Sequence, residues 1–281
     1  MNVIVGKNSF ISKQLMKRNN YQFTSSDILE VDKNTMYLDL NFPEVFDYTV
    51  FNENTYIIFL AAISSPDECN KNYERSYKIN VTGTKYFIKQ AIKQKSKILF
   101  FSSDVIYGNR TEEVDENSKT DPFGNYAKMK EEVEKYFLDE VNFKVFRLSY
   151  VLSFEDKYLS YLRKYVESNS IADVFHPFYR KIIYIDDLLT AIESILLHWQ
   201  VFKNQKFNIC GEKQISRKKI ADLYNSFICG ELNYNIIEPD EVFWQARPKE
   251  INITSQYINK LLGYKPLSID LAIKKIVKEE N

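Results

Sequence analysis

Cysteine, histidine, glycine and proline are all scarce in this 281-residue chain, with 3, 2, 7 and 7 residues respectively. Cys69, Cys210 and Cys229 are odd in number and share neither CxxC nor metal-like spacing. That pattern excludes a disulfide framework and a structural zinc site, and predicts free thiols in a reducing compartment. His176 and His198, the only histidines, read as structural or surface residues rather than ligands, so no metal is expected. An excess of one charge is missing too: 38 Lys and Arg balance 38 Asp and Glu, which leaves no electrostatic footprint for nucleic acid. The lysine-rich stretch KYFIKQAIKQKSK alternates charge with apolar residues at helical spacing and reads as a solvated face. Long hydrophobic runs are absent. The longest, YIIFLAAI, is far below the roughly 20 residues that span a bilayer, and MNVIVGKNSF carries no charged leader followed by a long apolar segment. A cytoplasmic protein with neither a nucleic-acid nor a membrane partner is expected.

Short apolar runs do occur, and they alternate with amphipathic segments. NVIV, YQFTS, MYLDL, YIIFLAA, KILFFSS and FKVFRLS have the length and composition of strands covered on both faces. Helices are predicted from about Phe10, near Tyr73 to Gln94, and from about Tyr126. Repeated strand-helix units imply an α/β fold, a Rossmann-type doubly wound parallel sheet, with its ligand crevice at the carboxyl ends of the strands. Residues 1–150 are expected to form this dinucleotide-binding domain, with returning elements from about 181–210. Residues 151–281 are expected to build mainly a smaller substrate-binding lobe. In that half the pattern predicts a helix near Lys157 to Ser168, a strand at KIIYI, a helix from Asp186 to about His198, a strand at KFNI and three short helices, with Gly263 and Pro266 as a helix stop. No internal repeat, low-complexity linker or disordered tail is seen.

The first strand runs into Gly6-Lys7-Asn8-Ser9-Phe10-Ile11-Ser12, where a nucleotide-binding fold carries G-x-x-G-x-x-G. Gly6 keeps the tight turn, and Ser9 and Ser12 replace the later glycines with residues still small enough for a pyrophosphate to approach. The second strand ends near Asp27. A carboxylate there accepts bonds from the ribose hydroxyls and favours NAD, whereas Thr24, Ser25 and Ser26 tolerate a 2′-phosphate. No arginine follows directly, and the choice between NAD and NADP stays open.

Tyr126 and Lys130 stand four apart in NYAKMKEEVEKY, a spacing that puts both on one helix face. An ammonium beside a phenol favours its ionised form and makes it a usable acid or base. Ser103, at the end of KILFFSS, supplies a hydroxyl to hold a substrate oxygen. Alcohol and ketone could then be interconverted by paired proton and hydride movements.

Taken in order, Gly6, Leu60-Ala61-Ala62, Asn80-Val81-Thr82-Gly83-Thr84, Ser102-Ser103 with Tyr107-Gly108, Tyr126-x-x-x-Lys130, Phe146-Arg147 and Ile185-Asp186-Asp187 resemble the extended short-chain dehydrogenases that act on nucleotide sugars. The resemblance covers nearly the whole chain. It implies Tyr126 as general acid or base, Lys130 as its modulator and a ribose ligand, and Ser103 as the hydroxyl orienting the substrate. A cofactor, NAD or NADP, would be lined by Gly6, Ser9, Phe10, Ile11, Asp27, Leu60, Ala61, Ala62 and Ser102, with Asn80 bracing the loop beneath it or simply capping a helix. A nucleotide-diphosphate sugar would meet Ser64, Ser103, Asp104 and Tyr150, with Arg180 and Arg247 as phosphate clamps, since guanidinium forks bind phosphate oxygens bidentately.

Departures from the family pattern narrow the reaction. Dehydratases of the family carry Asp-Glu after the active-site hydroxyl residue, and here the pair is Asp104-Val105. The epimerase-reductases of the family place a cysteine where Val105 stands. Arg147-Leu148-Ser149-Tyr150 puts an aromatic where many epimerases have Asn, which is similar to the dTDP-4-dehydrorhamnose reductase group. The resemblance therefore implies a reductase of a keto group, at C4, of a nucleotide-activated deoxysugar. A 4-epimerase is the alternative, and a non-catalytic dinucleotide-binding protein a further one. Relatives commonly dimerise through the helices at Tyr73 to Gln94 and Tyr126 to Leu138. A homodimer is expected, with Tyr86, Ile88, Val133 and Phe137 serving either the core or that interface.

Overall fold

The computed structural model describes residues 1–18, 21–228 and 230–280; Cys229 lies outside them, while Cys69 and Cys210 are free thiols. Strands β1 (Asn2–Val5), β2 (Gln22–Ser25), β3 (Thr35–Tyr37), β4 (Tyr56–Phe59), β5 (Lys97–Ser103), β6 (Phe143–Leu148) and β7 (Lys206–Ile209) form one sheet in the order β7-β6-β5-β4-β1-β2-β3. β1 pairs in parallel with both β2 and β4, so the direction of winding reverses beside it. In such sheets the crevice at the carboxyl ends of the strands around this reversal is where dinucleotides bind. Val3, Ile4 and Val5 of β1 and Ile57, Ile58 and Phe59 of β4 are fully buried, as expected of continuous apolar strands covered on both faces.

Residues 1–106, 122–147 and 198–207 form one compact unit, and residues 107–121, 148–197 and 208–281 a second. The interleaving is finer than a single cut near 150. Of the stretch 181–210, residues 198–207 belong with the first unit, whereas the helix Ile185–Leu197 belongs with the second.

In the first unit the helices that flank the functional strands are α1 (Phe10–Met16), α2 (Thr84–Lys93) and α3 (Asn125–Phe137). The expected helix over 73–94 is continuous but not uniform: Tyr73–Tyr77 passes into a π-turn, Lys78–Gly83, before α2. Gly83 has an ordinary helical backbone and is required by proximity, because a Cβ there would lie 1.9 Å from the Leu40 carbonyl oxygen. Ile88, Val133 and Phe137 are buried in the core with Phe87, Phe100 and Phe143, whereas Tyr86 is exposed. Three of the four residues with two possible roles therefore serve the core.

In the second unit KIIYI does not make one strand. Tyr179–Lys181 pairs antiparallel with Gln214–Ser216, and Ile183–Tyr184 pairs in parallel with Val151–Leu152. Two further parallel pairs, Ile171–Phe175 with Asn233–Ile237 and Arg110–Val114 with Ile251–Ile253, join segments too distant in sequence for local pattern to reveal. Gly263 ends the helix Ile258–Leu262 in the left-handed conformation, as its place in the sequence suggests. Among the described residues no helix is long and apolar enough to cross a membrane.

Gly83→Ala should destabilise the protein by at least roughly 2 kcal/mol, since the new methyl meets backbone rather than a yielding side chain. A denaturant midpoint equal to wild type would remove the close-approach argument.

Candidate active site

β1 ends at Gly6, whose φ is +102° and whose hypothetical Cβ would sit 2.9 Å from the Ala61 nitrogen. Any side chain is therefore excluded by conformation and by space. The turn is closed by Ser9 N–H to the Gly6 carbonyl at 3.1 Å, and the Ser9 hydroxyl caps α1 by accepting from Ser12 N–H at 3.1 Å. Phe10 and Ile11 form the first turn of α1. Ser12, at the third small position, is fully buried, and its hydroxyl has no partner among the described residues.

Asp27 is exposed, and its carboxylate accepts from Leu29 N–H at 2.9 Å as a local cap. The carboxylate that faces the glycine turn is that of Glu30, which accepts from Asn8 Nδ2 at 2.9 Å and from the Ser25 hydroxyl at 2.5 Å. These bonds hold Glu30 below the usual carboxylate range. Sequence reasoning stopped at Asp27 and missed Glu30, which reaches back to Asn8 across a bend that no local pattern announces.

Leu60, Ala61 and Ala62 continue from β4 and are half-buried, and Ser64 is exposed. Asn80, within the π-turn, is buried; its Oδ1 accepts from Ile63 N–H at 2.8 Å and its Nδ2 donates to the Ile63 carbonyl at 2.9 Å. Both faces of one peptide position are thereby clamped. Asn80 is a brace and not a helix cap.

Ser102 and Ser103 end β5. The buried Ser102 hydroxyl has no partner among the described residues, while the Ser103 hydroxyl donates to Asp104 Oδ1 at 3.2 Å and accepts from Val105 N–H at 3.4 Å. Tyr126 opens α3 just after Gly124, whose φ is +82°, and packs against a cluster of Cys69, Val81 and Met129 with Ile63 and Tyr77. One turn on, the buried Lys130 ammonium donates to the Phe101 carbonyl of β5 at 2.7 Å and lies 4.6 Å and 5.9 Å from the ring centroids of Phe100 and Tyr126. Another turn on, Glu134 Oε2 receives both Nη2 (2.8 Å) and Nε (3.1 Å) of the buried Arg147. Tyr126, Lys130 and Glu134 thus climb one face at i, i+4 and i+8, and Lys130 pins that face to the end of β5.

The electrostatics differ from the sequence expectation. Burial pushes the Tyr126 phenol up, with Cys69 and Asp104 adding to the shift, and burial pulls Lys130 down to about 8 against the opposing pull of Glu134 and Cys69. Desolvation outweighs the neighbouring ammonium, so the protein alone holds Tyr126 in its protonated form. A dinucleotide fits this ground: the turn at Gly6 carries no side chain to obstruct it, and the hydroxyls of Ser12 and Ser102 are buried polar groups without partners among the described residues.

In the second unit, Tyr150 donates to Asp156 Oδ1 at 2.5 Å. A small pocket is lined by Tyr150, Phe178, Arg180 and Arg217 together with Ile182, Ile215 and Ile220. The buried Arg180 donates to the backbone carbonyls of Tyr179 (2.6 Å), Pro248 (2.8 Å) and Lys249 (3.4 Å). Arg247 stacks on Phe243 at 4.6 Å. Arg217 was not singled out from sequence; lysines crowd the same segment, SRKKIADLY, and nothing there marks which cation turns inward.

The family described as the RmlD substrate binding domain matches residues 1–281. A dTDP-4-dehydrorhamnose reductase of Aggregatibacter actinomycetemcomitans is 27% identical over 129 residues, 46% of this chain and 42% of the relative, so the match spans less than half the relative's length. A variant of the UDP-glucuronic acid 4-epimerase of Bacillus cereus, solved with UDP-4-deoxy-4-fluoro-glucuronic acid and NAD, has a TM-score of 0.82 at 17% identity over 100% of both chains. The dTDP-4-dehydrorhamnose reductase of Bacillus anthracis, solved with NADP, has a TM-score of 0.78 at 18% identity, covering 99% of this chain and 97% of that one. At these identities the structural likeness shows the fold. The family match extends over every residue, and the chain belongs to the RmlD substrate binding domain family.

Proposed function

We propose that this protein is an NAD(P)H-dependent reductase of a keto group, at C4, of a nucleotide-linked deoxysugar. The observation that carries the reading is that Lys130, 5.9 Å from the ring of Tyr126 one helical turn back, donates to the Phe101 carbonyl of β5, the strand that ends in Ser103. The family match and the reductase relative support it.

Gly6, Ser9, Phe10 and Ile11 would hold the cofactor at the first turn, Leu60 to Ala62 and Ser102 would line it, and Lys130 would bind its ribose. A reduced nicotinamide, when bound, supplies the hydride to the carbonyl carbon. The Ser103 hydroxyl positions the carbonyl oxygen, and Tyr126 Oη gives its proton to that oxygen, leaving an alcohol. Burial favours the protonated phenol, which is the form a reductase needs at the start of turnover. The Lys130 ammonium then stabilises the phenolate that remains. Val105, beside Asp104, offers no second acid or base, which argues against dehydration. Ser64, Asp104, Tyr150, Arg180 and Arg247 are proposed substrate contacts, and Asp27 a proposed ribose contact at the rim of the turn. Exposed Tyr86 and Tyr136 on α2 and α3 support a homodimer through these helices; a monomeric mass in solution would remove it.

The 4-epimerase reading uses the same residues. Cofactor use separates the two, because a reductase consumes NAD(P)H in proportion to product while an epimerase keeps NAD bound and needs none added. Incubating the protein with 4-keto sugar nucleotides and following the absorbance of reduced cofactor should show stoichiometric loss.

Tyr126→Phe should lower kcat by roughly 10²–10⁴ while dinucleotide affinity stays at the wild-type value. An unchanged kcat would sink the assignment. With Lys130 at about 8, its charge is present below that pH and lost above it. Reduction by wild type should therefore decline above pH 8, and the residual activity of Lys130→Met should lack that limb. A wild-type profile flat from pH 7 to about 9.5, a range that extends about a unit or more on each side of the pKa, would contradict the role given to the ammonium.

A further inference from the structure

The pocket of the second unit contains a guanidinium that the proposed chemistry has not used. Arg217 lies over the ring of Phe178 at 4.7 Å, of Tyr158 at 5.1 Å and of Phe175 at 5.9 Å. Three aromatic rings thus surround its guanidinium. Its side chain makes no hydrogen bond or ion pair with any described residue. A largely desolvated cation is costly unless an acceptor meets its N–H edge.

The surrounding groups do not provide one. Asp156 is the carboxylate that faces Arg217, and its oxygens already accept from the Tyr150 hydroxyl and from the amides of Ser153, Tyr158 and Leu159. Arg247 adds repulsion. Arg180, the other cation in the wall, directs its donors to three backbone carbonyls. What remains is a fork in a pocket also lined by Ile182, Ile215 and Ile220, suited to two oxygens of one anion.

We propose that Arg217 is the residue of this pocket that binds an oxyanion of the ligand, and that Arg180 shapes the wall instead of gripping the anion. Resting on the nucleotide-sugar reading above, the oxyanion is either a phosphate of the diphosphate or a carboxylate on the sugar. An aromatic cradle fixes the plane of the fork before the ligand arrives, which lowers the ordering cost of binding.

Titration calorimetry of the full chain with UDP, dTDP, UDP-glucose and UDP-glucuronic acid tests this. Arg217→Met, which keeps an apolar stem on the rings, should weaken binding by about tenfold or more, the size of a lost charge-assisted hydrogen bond, and Arg217→Lys should recover part of it. Loss across all ligands assigns the phosphate, and loss confined to the glucuronic acid assigns the carboxylate. The melting temperature without ligand and the NAD(P)H affinity should not fall in Arg217→Met, since the methionine keeps an apolar stem against the rings and no hydrogen bond or ion pair is lost. Wild-type affinity for every ligand in Arg217→Met, or a lower melting temperature with parallel loss of NAD(P)H binding, overturns the proposal. Should wild type bind none of the four, the nucleotide-sugar reading fails. Inorganic pyrophosphate, added with saturating NADH or NADPH, then decides: stabilisation of wild type but not of Arg217→Met keeps the anion site, and stabilisation of neither removes it.

Discussion

The Lys130 ammonium, buried against the Phe101 carbonyl at 2.7 Å, joins α3, which carries Tyr126, to β5, which ends in Ser103. Its position decides where Tyr126 stands relative to the end of β5, because the two residues are one helical turn apart. The contact is electrostatically demanding. A charge so placed loses water, and its pKa falls to about 8 even with Glu134 one turn further along the helix. Glu134 is in turn gripped by Arg147 of β6 through two donors. The arrangement is a ladder of alternating polarity, phenol, ammonium, carboxylate and guanidinium, that fastens α3 to two neighbouring strands. Buried pairs of this kind contribute little net stability but are severely disrupted when one partner is removed. Their structural value lies in fixing the register of the helix on the sheet.

Much of the first unit was legible from the chain because its signals are local. Runs such as NVIV and KILFFSS have the length and composition of strands covered on both faces, and the Tyr126–Lys130 spacing has one consequence on a helix. Asn80 was open between brace and cap, and its two bonds to Ile63 decide for the brace. What the sequence concealed depends on distant segments. Glu30 became visible only when Asn8 was brought to it, Gly83 only beside Leu40, and the π-turn only in three dimensions. The phenol's direction of shift was also hidden, since spacing reveals the nearby ammonium but not the depth at which both are buried.

The second unit shows the same limit with arginines. Arg180 and Arg247 were chosen by position in a family pattern, and Arg217 was passed over. An arginine's capacity to bind an anion depends on where its five donors already point, and that is a property of the folded backbone. Arg180 ends among carbonyls of Tyr179, Pro248 and Lys249, a destination more than sixty residues away in sequence for two of the three. Arg217 ends among rings. Identical chemistry at the level of residue type becomes scaffold in one case and receptor in the other.

The chain passes from one unit to the other after residues 106, 121, 147, 197 and 207. Neither unit is therefore a contiguous stretch of gene. A single recombination event between two family members cannot trade one whole unit for another, and would instead splice pieces of both. Exchanging the second unit would require replacing residues 107–121, 148–197 and 208–281 together, the last two of which hold Arg180 and Arg217, while leaving the β1 turn and the Tyr126 helix in place.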